Sequence, residues 1–326
     1  MTSPFGLLAF LHWNHDWNNF HFDQNSLEKA IIQLKELNIK NIRMDILWSD
    51  IYRPNNPNDY SKYDKLINKL YEEGFSLLCL LHYNKVRLSA NGEELWNRPP
   101  DSFEEFGDYV FETVSRYKKK ISYWEIWNEP NHPVYWSLPP DQLKTYSKLL
   151  SISYKAAKKA DPTCFVLNGG ITEPVIENIE YLYQQGGKDM TDILSVHLFV
   201  DPQSPNKKET FKRWIASIHE IKKRYGDSHK KIWITELGCP GMPKDTQIKW
   251  FGGDVVSEQE QADWLNEIFQ IQSETAEIER IYWAFYRDTE KMFNDGADFL
   301  GIVRNDFSPK PAYHKLKELI KIHAGK

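Results

Sequence analysis

Cysteine is scarce: Cys79, Cys164 and Cys239 are the three in 326 residues, and none stands in a C-x-x-C spacing. This argues against a disulfide framework and against a cysteine-held zinc site, so stability must come from an ordinary core. No run of about 18 apolar residues is present, so no transmembrane helix is expected. Positive charge is not in excess either. Lys and Arg number 41 against 46 Asp and Glu, a net charge of −5 that offers no basic field to a phosphate backbone and disfavours nucleic acid as a partner. Met1 to Phe10 lacks the basic start and small-residue cleavage site of a secretory signal and reads as a first strand, which leaves localisation open. No linker, charge block or low-complexity stretch divides the chain, so one domain spanning 1–326 is expected.

What the sequence has is aromatic mass. Aromatic residues make up 14%, with 12 Trp, within a globular balance of 41% hydrophobic and 27% charged residues. Short apolar runs alternate along the whole chain with longer segments of helical period. Eight strands are expected at Gly6 to Leu11, Asn41 to Ile46, Phe75 to Leu81, Ser122 to Trp127, Phe165 to Asn168, Ile193 to His197, Lys231 to Thr235 and Arg280 to Phe285. The intervening helices have readable starts: Ser26 is the expected N-cap of the first, Ser61-Lys62-Tyr63-Asp64 resembles a capping box, and Ser257-Glu258-Gln259-Glu260 is a full one. Eight strand-then-helix units with right-handed crossovers close most simply into a (β/α)8 TIM barrel, an α/β fold. An open doubly wound sheet would carry a glycine-rich turn after its first strand, where this chain has His12-Trp13-Asn14-His15-Asp16.

In such a barrel, chemistry sits where strands end. The polar strand ends here are His12, Arg43 with Asp45, His82, Asn128 with Glu129, Asn168, His197, Glu236 and Tyr286 to Asp288. Two are glutamates on different strands. Glu129 closes the run Tyr123 to Ile126 through Trp127-Asn128, and Glu236 closes Ile232-Trp233-Ile234-Thr235. Paired carboxyls across a barrel mouth suit one as proton donor and one as nucleophile, the division of labour of a glycosidase.

Trp127-Asn128-Glu129-Pro130-Asn131 and Ile234-Thr235-Glu236 resemble the acid/base and nucleophile signatures of clan A of the glycoside hydrolases, most similar to family 39 with family 5 second. Further matches fall on Arg43, His82, His197, Trp283, Gly301 and the run Ser308-Pro309-Lys310-Pro311-Ala312-Tyr313. The resemblance implies that Glu129 is acid/base, Glu236 nucleophile, and Asn128 a hydrogen-bond partner of the sugar 2-hydroxyl. It implies a retaining mechanism on an oligo- or polysaccharide, with neither cofactor nor metal. One position departs: clan members often show His-x-Tyr after the sixth strand, and here the run is His197-Leu198-Phe199, so that either Tyr286, His197 or another group holds Glu236, or its pKa and positioning differ from the family's. Family 39 exo-xylosidases usually carry an added β-sandwich domain that this chain lacks, which makes endo action the expectation. The alternatives are an exo-β-glycosidase and a barrel that binds carbohydrate without turnover; the presence of both glutamates and Asn128 speaks against the latter.

Other groups have plainer readings. Glu125 lies about 13 Å deeper than Glu129 along an ideal strand. It reads as a buried structural charge, with Arg43 its expected partner. His12, His15, Asp16 and His21 crowd one loop but follow no metal-ligand spacing, and the same loop carries Trp13, Trp17, Asn14, Asn18 and Asn19, which read as sugar-contacting groups, with His12 a candidate beside Trp13. Trp13, Trp48, Trp96, Trp136 and Trp250 are candidate sugar platforms, whereas Trp214 and Trp264 are expected to pack between helix and barrel, and Cys79 and Cys164 to fill the core.

Overall fold

The structure is a computed structural model that describes residues 3–15, 23–137, 141–242, 248–250, 253–289 and 292–325. The eight expected strands form: β1 Phe5–Leu8, β2 Asn41–Leu47, β3 Ser76–His82, β4 Tyr123–Ile126, β5 Phe165–Asn168, β6 Leu194–His197, β7 Ile232–Leu237 and β8 Ile278–Ala284. They lie in one sheet in the order β5-β4-β3-β2-β1-β8-β7-β6, with parallel bridges Leu167 to Ile193 and Ile171 to Val196 joining β5 to β6. Each is followed by a helix: α1 Gln24–Glu36, α2 Ser61–Glu72, α3 Phe103–Tyr117, α4 Gln142–Ala160, α5 Val175–Gln184, α6 Lys207–Arg224, α7 Glu258–Glu274 and α8 Pro311–Ala324. This is the (β/α)8 TIM barrel that the alternating periods imply.

The strand sequences read as continuous apolar runs because a barrel strand is covered on both faces. All seven residues of β2 and the last six of β3 are buried. Helices instead bury one stripe. Tyr63, Leu66, Ile67 and Leu70 of α2 fall at spacings of three and four, and α3 does the same with Phe106, Tyr109, Val110, Thr113, Val114 and Tyr117.

Two helix starts differ from expectation. Asp23, not Ser26, caps α1, its carboxylate accepting from the Ser26 N–H at 2.7 Å; a carboxylate immediately before the first turn does what the Ser hydroxyl was expected to do. No capping box forms at Ser61, because Asp64 is held by Arg116 and Tyr117 while Asp59 accepts from the Ser61 N–H at 3.0 Å. The box at Ser257 and Glu260 of α7 is present.

Packing divides the chain into two compact units, one of Met1–Arg43, Leu198–Ala216 and Ile234–Lys326, the other of Met44–His197 and Ser217–Trp233. In the first, β1 pairs with β2 and β8 in registers that set Leu8 beside Arg43 and Ala284, and Gly6 leaves room for the Tyr282 ring, 2.5 Å from where its Cβ would stand. In the second, β4 lies between β3 and β5 with Glu125 opposite Leu80 and Leu167, and Asn168 clamps β6 by bonding both the N–H and the C=O of Ser195. Glu125 is fully buried, as expected, and accepts from the Ser195 hydroxyl at 2.7 Å. Arg43, assigned to Glu125 on sequence, reaches Glu236, a partner 193 residues away that strand-by-strand reading does not reveal. Cys79, Cys164 and Cys239 are buried and reduced, and burial raises each thiol well above its ordinary range. No helix among the described residues is long and apolar enough to cross a membrane.

Candidate active site

In the second unit the chain leaves β4 in a strained turn. Trp127 and Glu129 both hold left-handed backbone, at φ 69° and 42°, a conformation that costs a non-glycine residue on the order of 1–2 kcal/mol. The turn persists because the surroundings fix it. Trp127 donates its main-chain N–H to Leu81 O and its indole N–H to Tyr135 O, and the Glu129 carbonyl accepts from the His132 N–H. Between the two strained residues Asn128 is 7% exposed, and Glu129 itself is 8% exposed. His197, ending β6 and wholly buried, sets Nδ1 2.7 Å from Glu129 Oε1. His82 closes β3 with Nε2 3.3 Å from Asp45 Oδ2, its ring stacked on Tyr83 at 3.8 Å.

In the first unit Glu236, the last residue but one of β7, lies against a different partner. Arg43 Nη1 sits 2.6 Å from Glu236 Oε1; the arginine is 1% exposed and the glutamate side chain 15%. Arg43 thus holds Glu236, a role for which Phe199 has no hydroxyl. Tyr286, one of the groups considered for that role, donates its hydroxyl to Gln33 Oε1 on α1 at 2.6 Å, which directs it to the helix layer. Phe199 packs edge-on against Trp250 at 5.8 Å. Trp283 is buried and donates its indole N–H to Leu300 O. His12 is 5% exposed, between Trp13 and His15 at ring distances of 6.2 Å. Asp16, Trp17, Asn18, Asn19 and His21 of the same loop lie outside the described residues.

The tryptophan platforms need correction. Trp13, Trp48, Trp136 and Trp250 are 6% exposed or less, Trp48 stacking on Tyr109 and Trp136 standing edge-on to Trp127. Trp96 alone of the five is half-buried, edge-on to Tyr83 at 4.8 Å and to Tyr135 at 6.3 Å. An indole buries so much apolar area that neighbouring aromatics cover it wherever they can reach, and position in a loop does not reveal that cover. Trp264 is fully buried, its ring edge-on to Phe211 of helix α6, where the sequence reading sets it between helix and barrel.

The sequence named Asp288 and Lys310 without joining them. Lys310, 1% exposed, donates to Asp288 Oδ1 at 2.8 Å and to the carbonyls of Gly241 and Phe299, while the Gly301 N–H also reaches Asp288 Oδ1. One ammonium therefore ties the segments after β7 and β8 together. Burial outweighs the lysine's attraction and raises Asp288 to about 7. A carboxyl raised in the folded state binds its proton there more tightly than in the unfolded chain, so its contribution to stability is complete below pH 4 and is lost as pH rises through 7. Asp288→Asn is expected to flatten that part of the stability profile between pH 4 and 8 and to lower stability above pH 7, where the parent carboxylate is charged and its loss leaves Lys310 buried without a counter-charge; urea unfolding across that range measures both.

With this geometry in place the chain can be set beside known proteins. Residues 95–301 match the sequence profile of the glycosyl hydrolase catalytic core. The chain belongs to that family. Residues 17–160 of this glycosyl hydrolase core also match glycosyl hydrolase family 1. A 6-phospho-β-glucosidase of Clostridium longisporum is 34% identical over 108 residues, covering 31% of this chain and 22% of that enzyme, so the match spans about a fifth of the relative's length. Among solved structures, a family 39 glycoside hydrolase of Bacteroides cellulosilyticus superposes with a TM-score of 0.73 at 18% identity, over 98% of this chain and 64% of that one. A family 39 β-xylosidase of Caulobacter crescentus gives 0.68 at 14%, over 97% and 70%. A glucosidase of Croceicoccus marinus gives 0.67 at 15%, over 89% and 63%. These likenesses are likenesses of fold. The resemblance to clan A, with family 39 foremost, agrees with them.

Proposed function

We propose that residues 1–326 work as one catalytic barrel, a retaining β-glycosidase of the family 39 type acting on an oligo- or polysaccharide, with Glu236 as nucleophile and Glu129 as acid and base. The observation that carries this reading is the difference between the two carboxyls' partners. Glu236 faces Arg43, which keeps its charge at any accessible pH and so suits a carboxylate that must act as an anion. Glu129 faces His197, a ring whose nitrogen can give or accept a hydrogen bond according to its tautomer and so suits a partner that passes a proton to and fro.

In the first step a Glu236 oxygen attacks the anomeric carbon while Glu129 gives its proton to the departing glycosidic oxygen, leaving a glycosyl ester on Glu236. In the second, Glu129 takes a proton from water, whose oxygen attacks the same carbon and frees Glu236. Asn128 lies one residue before Glu129, where its amide can hold the 2-hydroxyl. His82, buried against Asp45, is the next candidate for a sugar contact. His12, Trp13, Trp283 and Tyr286 are more deeply engaged within their own unit and are supporting groups in this reading.

Endo action rests on Trp96 and Tyr135, two half-buried rings beyond the Glu129 turn that stand edge-on to one another and keep part of their surface open for leaving-group sugars. The burial of the other four loop tryptophans favours an exo-β-glycosidase as the second reading. A panel of aryl β-glucosides and β-xylosides against their oligosaccharides separates the two. Endo action predicts that kcat/KM climbs at least about tenfold from disaccharide to tetrasaccharide, as each stacked ring adds remote binding energy. Release of monosaccharides alone, with aryl glycosides as the best substrates, would establish exo action.

A further inference from the structure

We infer that Gly169 and Gly170, the pair that follows β5, are positioning residues for Glu129, with Gly170 serving as the seat of the His197 imidazole. The inference rests on the proposed acid role of Glu129. It starts from space. A Cβ on Gly170 would stand 2.0 Å from His197 Nε2, 2.4 Å from Cδ2 and 2.5 Å from Cε1, so one whole edge of the ring lies against the bare glycine Cα. The opposite edge carries Nδ1, 2.7 Å from Glu129 Oε1. The imidazole is therefore a strut between Gly170 and the carboxyl, and being fully buried it has nowhere to retreat.

Gly169 does the same for the main chain. Its Cβ would fall 2.3 Å from Trp127 O and 2.5 Å from Ile126 O, the carbonyls that lead into the strained Glu129 turn. Its N–H donates to the Tyr146 hydroxyl, which in turn donates to Ile126 O, and Ile171 is tied to β6 through Ser195 O and the His197 N–H. The dipeptide thus bears on both the backbone and the side-chain partner of one residue. Gly170 is also at φ 26°, where a side chain is strained, so a matched control is needed: Gly186 has φ 84° and nothing within 4 Å of its Cβ position.

The test compares kcat/KM of Gly170→Ala on phenyl and 2,4-dinitrophenyl β-glucosides or β-xylosides, whichever sugar the panel selects. Dinitrophenolate leaves without a proton and phenolate does not, so a displaced acid should cost about 100-fold on the phenyl glycoside and less than about fivefold on the activated one. Gly186→Ala should change neither ratio. The double-mutant cycle supplies a second reading, since His197→Ala removes the ring that the new methyl would strike and should abolish the added effect of Gly170→Ala. If Gly170→Ala does not fold, recovery of folding in the Gly170→Ala/His197→Ala pair supports the seat, and continued misfolding overturns it. Equal losses on both substrates, or additive effects in the cycle, also overturn it. Glu129→Gln measured alongside separates the two levels: if that variant shows no leaving-group dependence, the acid assignment itself fails and the inference falls with it, whereas dependence in Glu129→Gln but not in Gly170→Ala defeats the seat alone.

Discussion

Glu236→Gln is expected to lower kcat by about 10⁴-fold or more on every substrate, activated or not. An amide cannot form the glycosyl ester, and no better leaving group rescues a missing nucleophile. The variant should nonetheless fold. Its amide oxygen can still accept from Arg43 Nη1, now at 2.6 Å from the carboxylate, so the guanidinium keeps a hydrogen bond while losing its counter-charge. Because the Glu236 side chain is 15% exposed, water relieves part of that loss, and a cost near 1–3 kcal/mol is expected, below the range for fully buried pairs. Thermal unfolding and kcat measured on one preparation check both halves. Activity within tenfold of the parent in a folded variant would remove Glu236 from the chemistry.

Glu129→Gln should behave differently, and the difference identifies its role. Removing a general acid is expected to cost roughly 10²–10⁴ in kcat/KM where the departing oxygen must be protonated, and little where it need not be. With dinitrophenyl glycosides the first step should survive while the second, which needs Glu129 as base, becomes slow, so that kcat falls and KM falls with it. Stopped-flow traces should then show a burst of dinitrophenolate equal to the enzyme concentration. Uniform loss across leaving groups, without a burst, would mean that Glu129 is not the proton donor. The two variants together give opposite patterns from residues of the same type, as expected where environment divides two carboxyls into separate roles.

The barrel was legible because its physics is local. A strand covered on both faces is apolar along most of its length, so Asn41–Leu47 and Ser76–His82 stand out in the sequence, and four-residue stripes such as Tyr63, Leu66, Ile67 and Leu70 of α2 mark the helices. Both glutamates were legible as strand ends in named motifs. What the sequence could not supply were pairings between distant residues. Arg43 and Glu236, or Lys310 and Asp288, come together only once the fold sets them there, and strand position alone points Arg43 to Glu125 instead. Tryptophan number suggested platforms, yet whether an indole faces a ligand or Tyr109 depends on packing that periodicity does not encode. Asp23 and Ser26 both have capping chemistry, and a three-residue difference in where the chain turns decides which one caps. Gly169-Gly170 carried a signal that was available, an unusual dipeptide at a strand end, whose meaning became readable with the His197 ring in place.

The central claim is double displacement through Glu236, and stereochemistry tests it most directly. Hydrolysis of an aryl β-glucoside or β-xyloside can be followed by proton NMR in D2O within the first minutes, before mutarotation mixes the anomers. Two inversions at the same carbon predict that the β-anomer of the free sugar appears first, with the α-anomer growing only at the rate of spontaneous mutarotation. Appearance of the α-anomer as first product would mean a single displacement by water, and would contradict both the nucleophilic role of Glu236 and the two-step mechanism built on it.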